Sequence, residues 1–228
     1  MLLERQIAAP PNITRLMTHN SGVDRINSSE IGNLKGQTYS YEMQLSGDIA
    51  EAHRLEKSLL APQKLVLKVE APVMFVANDF AAGYVNGSQG TVVRFKNGLP
   101  LVKLKGGPLI LVNAHQWSSV NGNKHEAKII QLPLRLAWAI TIHKSQGMSL
   151  DQAEIDLDRS FMFGMGYVAL SRLKTYLGLY LSGINSRSLE LNPLIYDFDR
   201  QLHEASNSID NNHIRRRRNL FTGWKSTL

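Results

Sequence analysis

One apolar run, LRLAWAITI from Leu134 to Ile142, constrains the fold of this chain more than any other stretch. Its length and nearly continuous apolar character are typical of a strand that is buried on both faces of a parallel sheet. Two further strands are predicted, AEIDLD at Ala153–Asp158 and LGLYLSG at Leu177–Gly183, with a helix, GYVALSRLK, between them. This order of elements predicts an α/β fold built on a doubly wound parallel sheet.

Residues 63–128 have a different character, with short predicted strands and frequent turns. Asn86-Gly87 and Asn97-Gly98 are strong hairpin signals, because both central residues of a type I′ turn need a positive φ. The density of strands predicts a small barrel or sandwich inserted into the α/β domain. The predicted domains are therefore an α/β domain (residues 1–62 and 129–204), an inserted β-barrel (63–128) and a basic tail (205–228).

Helices are predicted from their apolar spacing at residues 23–34 and 48–60, the second with Asp48 as its N-cap. Asn192-Pro193 is a typical helix start, with asparagine as the N-cap and proline in the first turn. The sequence that follows it, LIYDFDRQLHEA, is predicted as the last helix.

Composition excludes several classes of protein. The chain is 43% hydrophobic, which is enough for a packed core, and it has no cysteine for disulfides or thiolate metal sites. Its apolar runs are shorter than the roughly 18 residues that a membrane span needs, so no membrane partner is expected. No H-E-x-x-H metal motif and no G-x-S-x-G motif is present, so neither a metal site nor a self-contained hydrolase is predicted.

The net charge of +7 comes mostly from the last residues, where Arg215–Arg218 and Lys225 stand without any acidic residue. A basic segment of this kind indicates an acidic partner, and nucleic acid is the first candidate. The alternative is a solvated tail without a ligand, and the sequence leaves both open.

The loop that follows the apolar run carries hydrogen-bond donors and no carboxylate. The donors are Thr141, His143, Lys144, Ser145 and Gln146, and Gly147 lets the backbone approach a ligand closely. Strands in α/β sheets deliver such loops to the edge where ligands bind. This set of groups suits phosphate oxygens, either of a nucleotide or of a nucleic-acid backbone. The alternative is a polar loop that only caps a strand.

The segment GYVALSR places Arg172 at the end of a predicted helix. An arginine on a rigid helix beside a phosphate site can neutralise the charge that develops on a transferring phosphoryl group. A surface salt bridge is the more common role of a helix arginine, and only the combination with the preceding loop favours the first interpretation.

Together, AWAITIHKSQGMSLD, GYVALSR and LGLYLSG resemble the last two helicase motifs of the Pif/RecD-like branch of superfamily 1B DNA helicases. RLMTHNSGVDRIN resembles the fourth motif of that family, and VNGSQGTVV resembles a part of its inserted SH3-like barrel. The resemblance extends to about residue 204. It implies a RecA-like motor domain with an inserted SH3-like β-barrel, acting in ATP- and Mg²⁺-dependent, 5′-to-3′ unwinding of DNA.

The resemblance also implies roles for individual residues. Arg172 is expected to reach the γ-phosphate of ATP as an arginine finger, with Gln146 and Gly147 near the nucleotide. The expected contacts to the backbone of single-stranded DNA are Thr18, His19, Asn20, Thr141, His143, Lys144 and Ser145.

Two departures from the family pattern limit these expectations. Met165 stands where the family usually has a glutamine, and methionine cannot make the same hydrogen bonds. No G-x-x-x-x-G-K-[ST] loop is present to hold the phosphates and Mg²⁺ of ATP. We therefore expect the C-terminal part of a longer, monomeric helicase whose N-terminal motor domain completes the ATP site, so that this chain alone hydrolyses no ATP.

Such a protein is expected in the bacterial cytoplasm with the nucleoid, or in the nucleus or mitochondria of a eukaryote. The alternative is a non-enzymatic module that binds nucleic acid or protein through the β-barrel and the basic tail.

Overall fold

The structure is a computed structural model, and it describes residues 2–11, 13–121 and 125–206. The predicted basic run Arg215–Arg218 lies outside the described residues. The helices are α1 (Asn20–Asn33), α2 (Ile49–Ser58), α3 (Met165–Leu170) and α4 (193–206). In chain order the strands are β1 (Arg15–Met17), β2 (Tyr39–Glu42), β3 (Gln44–Gly47), β4 (Lys64–Leu67), β5 (Pro72–Phe75), β6 (Gln89–Lys96), β7 (Leu99–Leu104), β8 (Leu109–Leu111), β9 (His115–Asn121), β10 (His125–Gln131), β11 (Leu134–Leu136), β12 (Ala139–Thr141), β13 (Ala153–Leu157) and β14 (Leu179–Ile184).

Four strands form a parallel sheet in the order β12-β1-β13-β14. Alternate residues of β13 are fully buried, and Ile155 packs with Leu16 and Ile140 in the core of this sheet. Strands β13 and β14 were correctly predicted as strands of an α/β sheet. Strand order departs from chain order because β1 lies between two strands that come more than a hundred residues later.

Strands β2 to β11 and the helix α2 form a mainly β unit inserted between α1 and β12, and we call this unit the β module. Its largest sheet is antiparallel, in the order β11-β5-β6-β7-β8, and smaller sheets pair β3-β10-β9 and β2-β4. A second core of buried residues, among them Phe75, Val92 and Leu134, lies inside the module. The predicted α/β architecture with a small β insert is confirmed.

Strand pairing carries the β module beyond residues 63–128 at both ends. On the N-terminal side, β2 pairs with β4 and β3 pairs with β10. On the C-terminal side, β11 pairs with β5. The predicted domain limits at residues 63 and 128 stay predictions. Strands that precede residue 63 in the chain pair with strands that follow it.

The apolar run 134–142 is two strands and not the single strand that was predicted. Leu134 pairs with Phe75 in the β module, whereas Ala139 pairs with Arg15 in the parallel sheet. Ala137 and Trp138 connect the two strands. The run is apolar throughout because Leu134 and Ile140 are buried in two different cores.

Several local predictions can be compared with the backbone. Asp48 caps α2 as predicted, with its Oδ1 accepting a hydrogen bond of 2.8 Å from the Glu51 N–H. Both Asn97 and Gly98 have positive φ, at 51° and 78°, as a type I′ hairpin between β6 and β7 requires. The prediction for Asn86-Gly87 is wrong, since only Gly87 has a positive φ.

Two helices differ in length from the prediction. The GYVALSRLK helix is shorter than expected, because α3 ends at Leu170 and Arg172 follows it in a turn. The last helix, α4, begins after Asn192, whose Oδ1 accepts a hydrogen bond of 3.0 Å from the Leu194 N–H. Within the residues that the structure describes, no helix has both the length and the apolar character needed to cross a membrane.

Candidate functional site

The candidate site lies at the carboxyl edge of the parallel sheet, where three neighbouring strands end. Met17 of β1 is in register with Thr141 of β12, and the Ile142 N–H donates a hydrogen bond of 2.9 Å to the Met17 carbonyl. The segment Thr18–Asn20 therefore runs beside the loop Thr141–Gly147, which we call the TIHKSQG loop. Ligands of α/β sheets bind at this edge.

The TIHKSQG loop is held by its own hydroxyl groups. The Thr141 Oγ1 accepts a hydrogen bond of 3.3 Å from the Lys144 N–H, and the Ser145 Oγ donates one of 2.7 Å to the Ile142 carbonyl. Both hydroxyl side chains are buried. They shape the 3₁₀ turn His143–Ser145, and their predicted contacts to DNA remain predictions.

The same turn leaves the other predicted groups on the surface. His143, Lys144, Gln146 and Gly147 are all exposed. Gly147 has a φ of +80°, and a Cβ added there would meet no atom within 4 Å. The backbone conformation therefore requires a glycine at this position, although the space around it does not.

The segment after β1 presents one buried and two exposed residues. The Thr18 hydroxyl is buried and lies 2.7 Å from the Nδ1 of His19. His19 and Asn20 are exposed at the start of α1. The His19 ring also contacts Phe161, with ring centroids 5.0 Å apart, so the loop after β13 reaches the same edge. The sequence analysis did not single out Phe161.

A second cation beside the TIHKSQG loop was also missed, because its position depends on the pairing of β11. Arg135 is the one basic residue of the apolar run 134–142. Although Lys144 as a whole is exposed, partial burial of its ammonium group lowers its pKa, and the charge of Arg135 lowers it further. Asp24 of α1 acts in the opposite direction on the pKa of Lys144. Two cations and one acid therefore share this corner of the site.

Arg172 is tied to the end of the TIHKSQG region by its backbone and its side chain. The Arg172 carbonyl accepts a hydrogen bond of 2.8 Å from the Leu150 N–H. Its guanidinium donates three hydrogen bonds. They run from Nε to the Val168 carbonyl (3.0 Å), from Nη1 to the Met148 carbonyl (3.4 Å) and from Nη2 to the Ser171 Oγ (2.9 Å). The structure thus brings Arg172 close to the loop, as the combination of motifs predicts.

The Met165 side chain points away from the site. It is buried in the core of the parallel sheet at the first turn of α3. The methionine at this position therefore contributes to packing, and the effect of its side chain on nucleotide contacts stays a prediction.

A cleft of about 490 Å³ lies between Gly147 and the β module. Gly87 lines the cleft, and a Cβ at this residue would come within 3.2 Å of the Met148 Cβ. Lys105 and Lys174 line the cleft, and Lys174 forms an ion pair of 2.9 Å with Asp151. A larger cleft of about 620 Å³ lies elsewhere, between α1 and the β module, and is lined by none of the predicted site residues.

No group of three or more histidine, cysteine or carboxylate side chains that could hold a metal ion occurs among residues 2–11, 13–121 and 125–206. The candidate site consists of cations, amides and hydroxyl groups, with Asp24 and Asp151 as acids beside the cations. This chemistry suits phosphate groups and offers no carboxylate set for Mg²⁺.

Comparison with known proteins identifies similar sequences and folds. A family model described as the 2B domain of the DNA helicase Pif1 matches residues 52–95, which belong to the β module. The ATP-dependent DNA helicase Pif1 of Psychrobacter sp. is 35% identical, in a match that covers 86% of this chain. This chain spans 38% of that relative's length.

Two solved structures show the same architecture. Pif1 from Bacteroides sp. in complex with ADP-AlF4 has a TM-score of 0.75 and 28% identity, covering 90% of this chain and 48% of that chain. Pif1 from Bacteroides in complex with ADP-AlF3 and ssDNA has a TM-score of 0.64 and 28% identity, covering 89% of this chain and 49% of that chain. Both comparisons include the parallel sheet as well as the β module, because they extend over most of the chain.

Proposed function

Since this chain belongs to the Pif1 family of DNA helicases, we propose that it is the C-terminal part of such a protein and acts as the second motor domain of an ATP-dependent 5′-to-3′ DNA helicase. One observation carries the proposal. The TIHKSQG loop, the segment Thr18–Asn20 and Arg172 all meet around one edge of the parallel sheet.

The exposed groups of this edge form the proposed track for single-stranded DNA. Lys144 and His143 on the loop, with His19 and Asn20 beside them, offer a cation and neutral donors to backbone phosphates. The buried hydroxyls of Thr141 and Ser145 fix the turn that carries the track, and the buried Thr18 hydroxyl contacts the His19 ring. Contacts to phosphates do not depend on base sequence, which a helicase that moves along DNA requires.

Arg172 is the proposed arginine finger, with Gln146 and Gly147 near the nucleotide. Its hydrogen bond to the Met148 carbonyl is long, at 3.4 Å, and that to the Ser171 Oγ is made to a neutral group. A phosphate oxygen is a stronger acceptor for a guanidinium than either of these oxygens. Arg172 can therefore exchange these contacts for the γ-phosphate when an N-terminal motor domain presents ATP and Mg²⁺.

An N-terminal motor domain is needed in this proposal because the sequence has no G-x-x-x-x-G-K-[ST] loop to hold the phosphates and Mg²⁺ of ATP. The isolated chain is accordingly expected to show no Mg²⁺-dependent ATP hydrolysis. Turnover by the purified chain that disappears in Arg172→Ala would contradict this part of the proposal. We further propose that the β insert extends over residues 39–136, that the protein is monomeric, and that it works on cellular DNA in the nucleoid, nucleus or mitochondria.

The DNA track is tested by fluorescence anisotropy of labelled single-stranded DNA over a salt series. Each phosphate contact contributes about 0.7 to the slope of log affinity against log salt concentration. We expect Lys144→Ala to weaken binding and to reduce the slope by about that amount. Lys64→Ala is the matched control, since Lys64 is an exposed lysine of the β module paired with Glu42.

A version ending at Asp210 separates the loop from the basic tail. If the truncated chain keeps a site that still depends on Lys144, the track proposal holds. If all binding disappears with the tail and Lys144→Ala has no effect in the full chain, the loop does not bind DNA. The alternative of a module that binds through its tail would then be favoured.

A further inference from the structure

Arg135 is a half-buried cation, and part of its guanidinium is buried without a partner among the described residues. Its Nε and Nη1 atoms are both buried, and neither has a partner within the part of the chain that the structure describes. Buried donors on a charged group are costly to leave unpaired, because folding removes their water without replacing it. An unpaired buried donor therefore calls for an explanation, and a ligand that supplies the missing acceptor is one.

The pairing of β11 explains where the guanidinium points. Arg135 is directly opposite Met74 of β5, and directly opposite residues of an antiparallel pair share one face of the sheet. Met74 is fully buried in the core of the parallel sheet and not in the core of the β module. Arg135 therefore faces the junction between the two units, while its neighbour Leu134 faces the core of the module.

This junction opens towards the TIHKSQG loop. Arg135 and Lys144 are close enough for the charge of Arg135 to lower the pKa of Lys144. The remaining guanidinium nitrogen, Nη2, is not among the buried unpaired atoms of the described residues. Arg135 and Lys144 are therefore neighbouring cations at this corner.

The existing acid at this corner leaves both cations available. Asp24 is near enough to raise the pKa of Arg135 and of Lys144, against the effect of burial on each. No ion pair within 4.0 Å joins Asp24 to either of them among the described residues. Two positive charges face one negative charge, so the corner has room for one more unit of negative charge.

We propose that Arg135 and Lys144 jointly bind one backbone phosphate of single-stranded DNA, with Arg135 as the recessed cation at the junction of the β module and the parallel sheet. The inference rests on the proposed function, because it adds a residue to the track along the TIHKSQG loop. A phosphodiester carries one negative charge and two free oxygens, which match the charge of the corner and the fork of a guanidinium. Arginine is suited to a desolvated site because its guanidinium is weakly hydrated.

Replacing a ligand-binding residue that has unpaired donors should not destabilise the DNA-free chain, whereas replacing a structural residue should. Arg135→Met keeps the length of the side chain and removes the unpaired donors, so we expect the melting temperature of the DNA-free chain to stay the same or rise. The same variant is expected to bind single-stranded DNA about tenfold more weakly, as for the loss of one charge-assisted hydrogen bond. The salt slope should fall by about 0.7.

The experiment measures DNA affinity over a salt series and thermal unfolding for the full chain with Arg135→Met, Lys144→Ala and both changes together. The double variant should lose less affinity than the product of the single losses, because both residues hold one phosphate. Asp24→Asn provides a second measurement that does not alter either cation. It should tighten DNA binding, since the carboxylate competes with the phosphate.

Three results separate the possible failures. If Arg135→Met binds DNA as the parent does while Lys144→Ala does not, the inference is overturned and the proposed function stands. If neither variant changes binding, the track itself is refuted, and the inference with it. If Arg135→Met lowers the melting temperature and Asp24→Asn lowers it equally without tightening DNA binding, Arg135 is a structural partner of Asp24.

Discussion

Gly166, in the first turn of α3, is the position where a single methyl group should show how closely the Arg172 region is packed. A Cβ at Gly166 would lie 3.0 Å from the carbonyl carbon of Ser188, and closer still to its carbonyl oxygen. Ordinary carbon–carbon contacts are about 3.5–4.0 Å, so the two segments would have to separate by roughly 0.5–1 Å or more. The obstacle is the backbone of the buried residue Ser188 in the turn Ser186–Leu189, which cannot rotate away as a side chain could.

The expected cost follows from two opposing effects. Overpacking of this kind costs about 1–3 kcal/mol, and the upper half of that range applies because the clash is with backbone. Alanine also favours the helix over glycine by about 1 kcal/mol. We expect Gly166→Ala to lose about 1–2 kcal/mol of unfolding free energy, which corresponds to a fall of about 2–8 °C in melting temperature for a chain of this size.

Urea unfolding followed by circular dichroism measures this loss. Gly32→Ala is the matched control, because Gly32 lies in α1 and a Cβ there would meet no atom within 4 Å. The control should gain up to about 1 kcal/mol from helix propensity alone. If Gly166→Ala is as stable as the parent, or gains as much as the control, the close approach of α3 to the turn at Ser188 is refuted.

Three further predictions concern other parts of the molecule. Gln131→Leu should lower the unfolding free energy by about 2–3 kcal/mol in urea unfolding. The reason is that the buried Gln131 Nε2 shares its hydrogens among three backbone carbonyls, and its Oε1 accepts a hydrogen bond from the Leu132 N–H. Gln116→Leu, on the exposed face of β9, is the control and should leave the unfolding free energy nearly unchanged. Burial, with a smaller effect from Tyr39, raises the pKa of Tyr41 from 10 to about 12. The stability that its neutral phenol contributes is therefore complete below about pH 10 and lost between about pH 10 and 12. The difference in urea midpoint between the parent and Tyr41→Phe should shrink over this pH range, and a constant difference would contradict the raised pKa. Because its pKa is lowered, Lys144 should be acetylated faster than the exposed Lys64 in peptide mapping at neutral pH, and single-stranded DNA should protect it; equal rates in the free chain would count against the lowered pKa.

The sequence was sufficient for features that depend on local chemistry. The Asp48 cap and the Asn97-Gly98 turn follow from side-chain hydrogen bonding and from backbone conformation, and both were found where they were predicted. Strands β13 and β14 were also found, because alternate burial along each strand leaves a clear pattern of apolar residues. The grouping of the TIHKSQG loop with Arg172 was predicted from motifs, and the structure brings them together.

The features that were missed depend on which segments pair in space. The apolar run 134–142 does not reveal that its first half belongs to another sheet, because Leu134 and Ile140 are equally buried. The location of Arg135 beside Lys144 follows from that pairing and could not be predicted without it. Likewise, the sequence names the hydroxyls of Thr141 and Ser145 but does not show that they turn inward to hold the loop.

The insertion of the β module between α1 and β12 has a consequence for the folding pathway. The Asn27 side chain forms two hydrogen bonds with the backbone of Ala139, which lies 112 residues later in the chain. Closing so long a loop is slow and entropically unfavourable while the intervening chain is unfolded. The hairpins of the module, such as β6 and β7, join neighbouring residues and can form first. Once they do, they bring the ends of the long loop together, so we expect the parallel sheet, and with it the DNA track, to assemble only after the β module has folded.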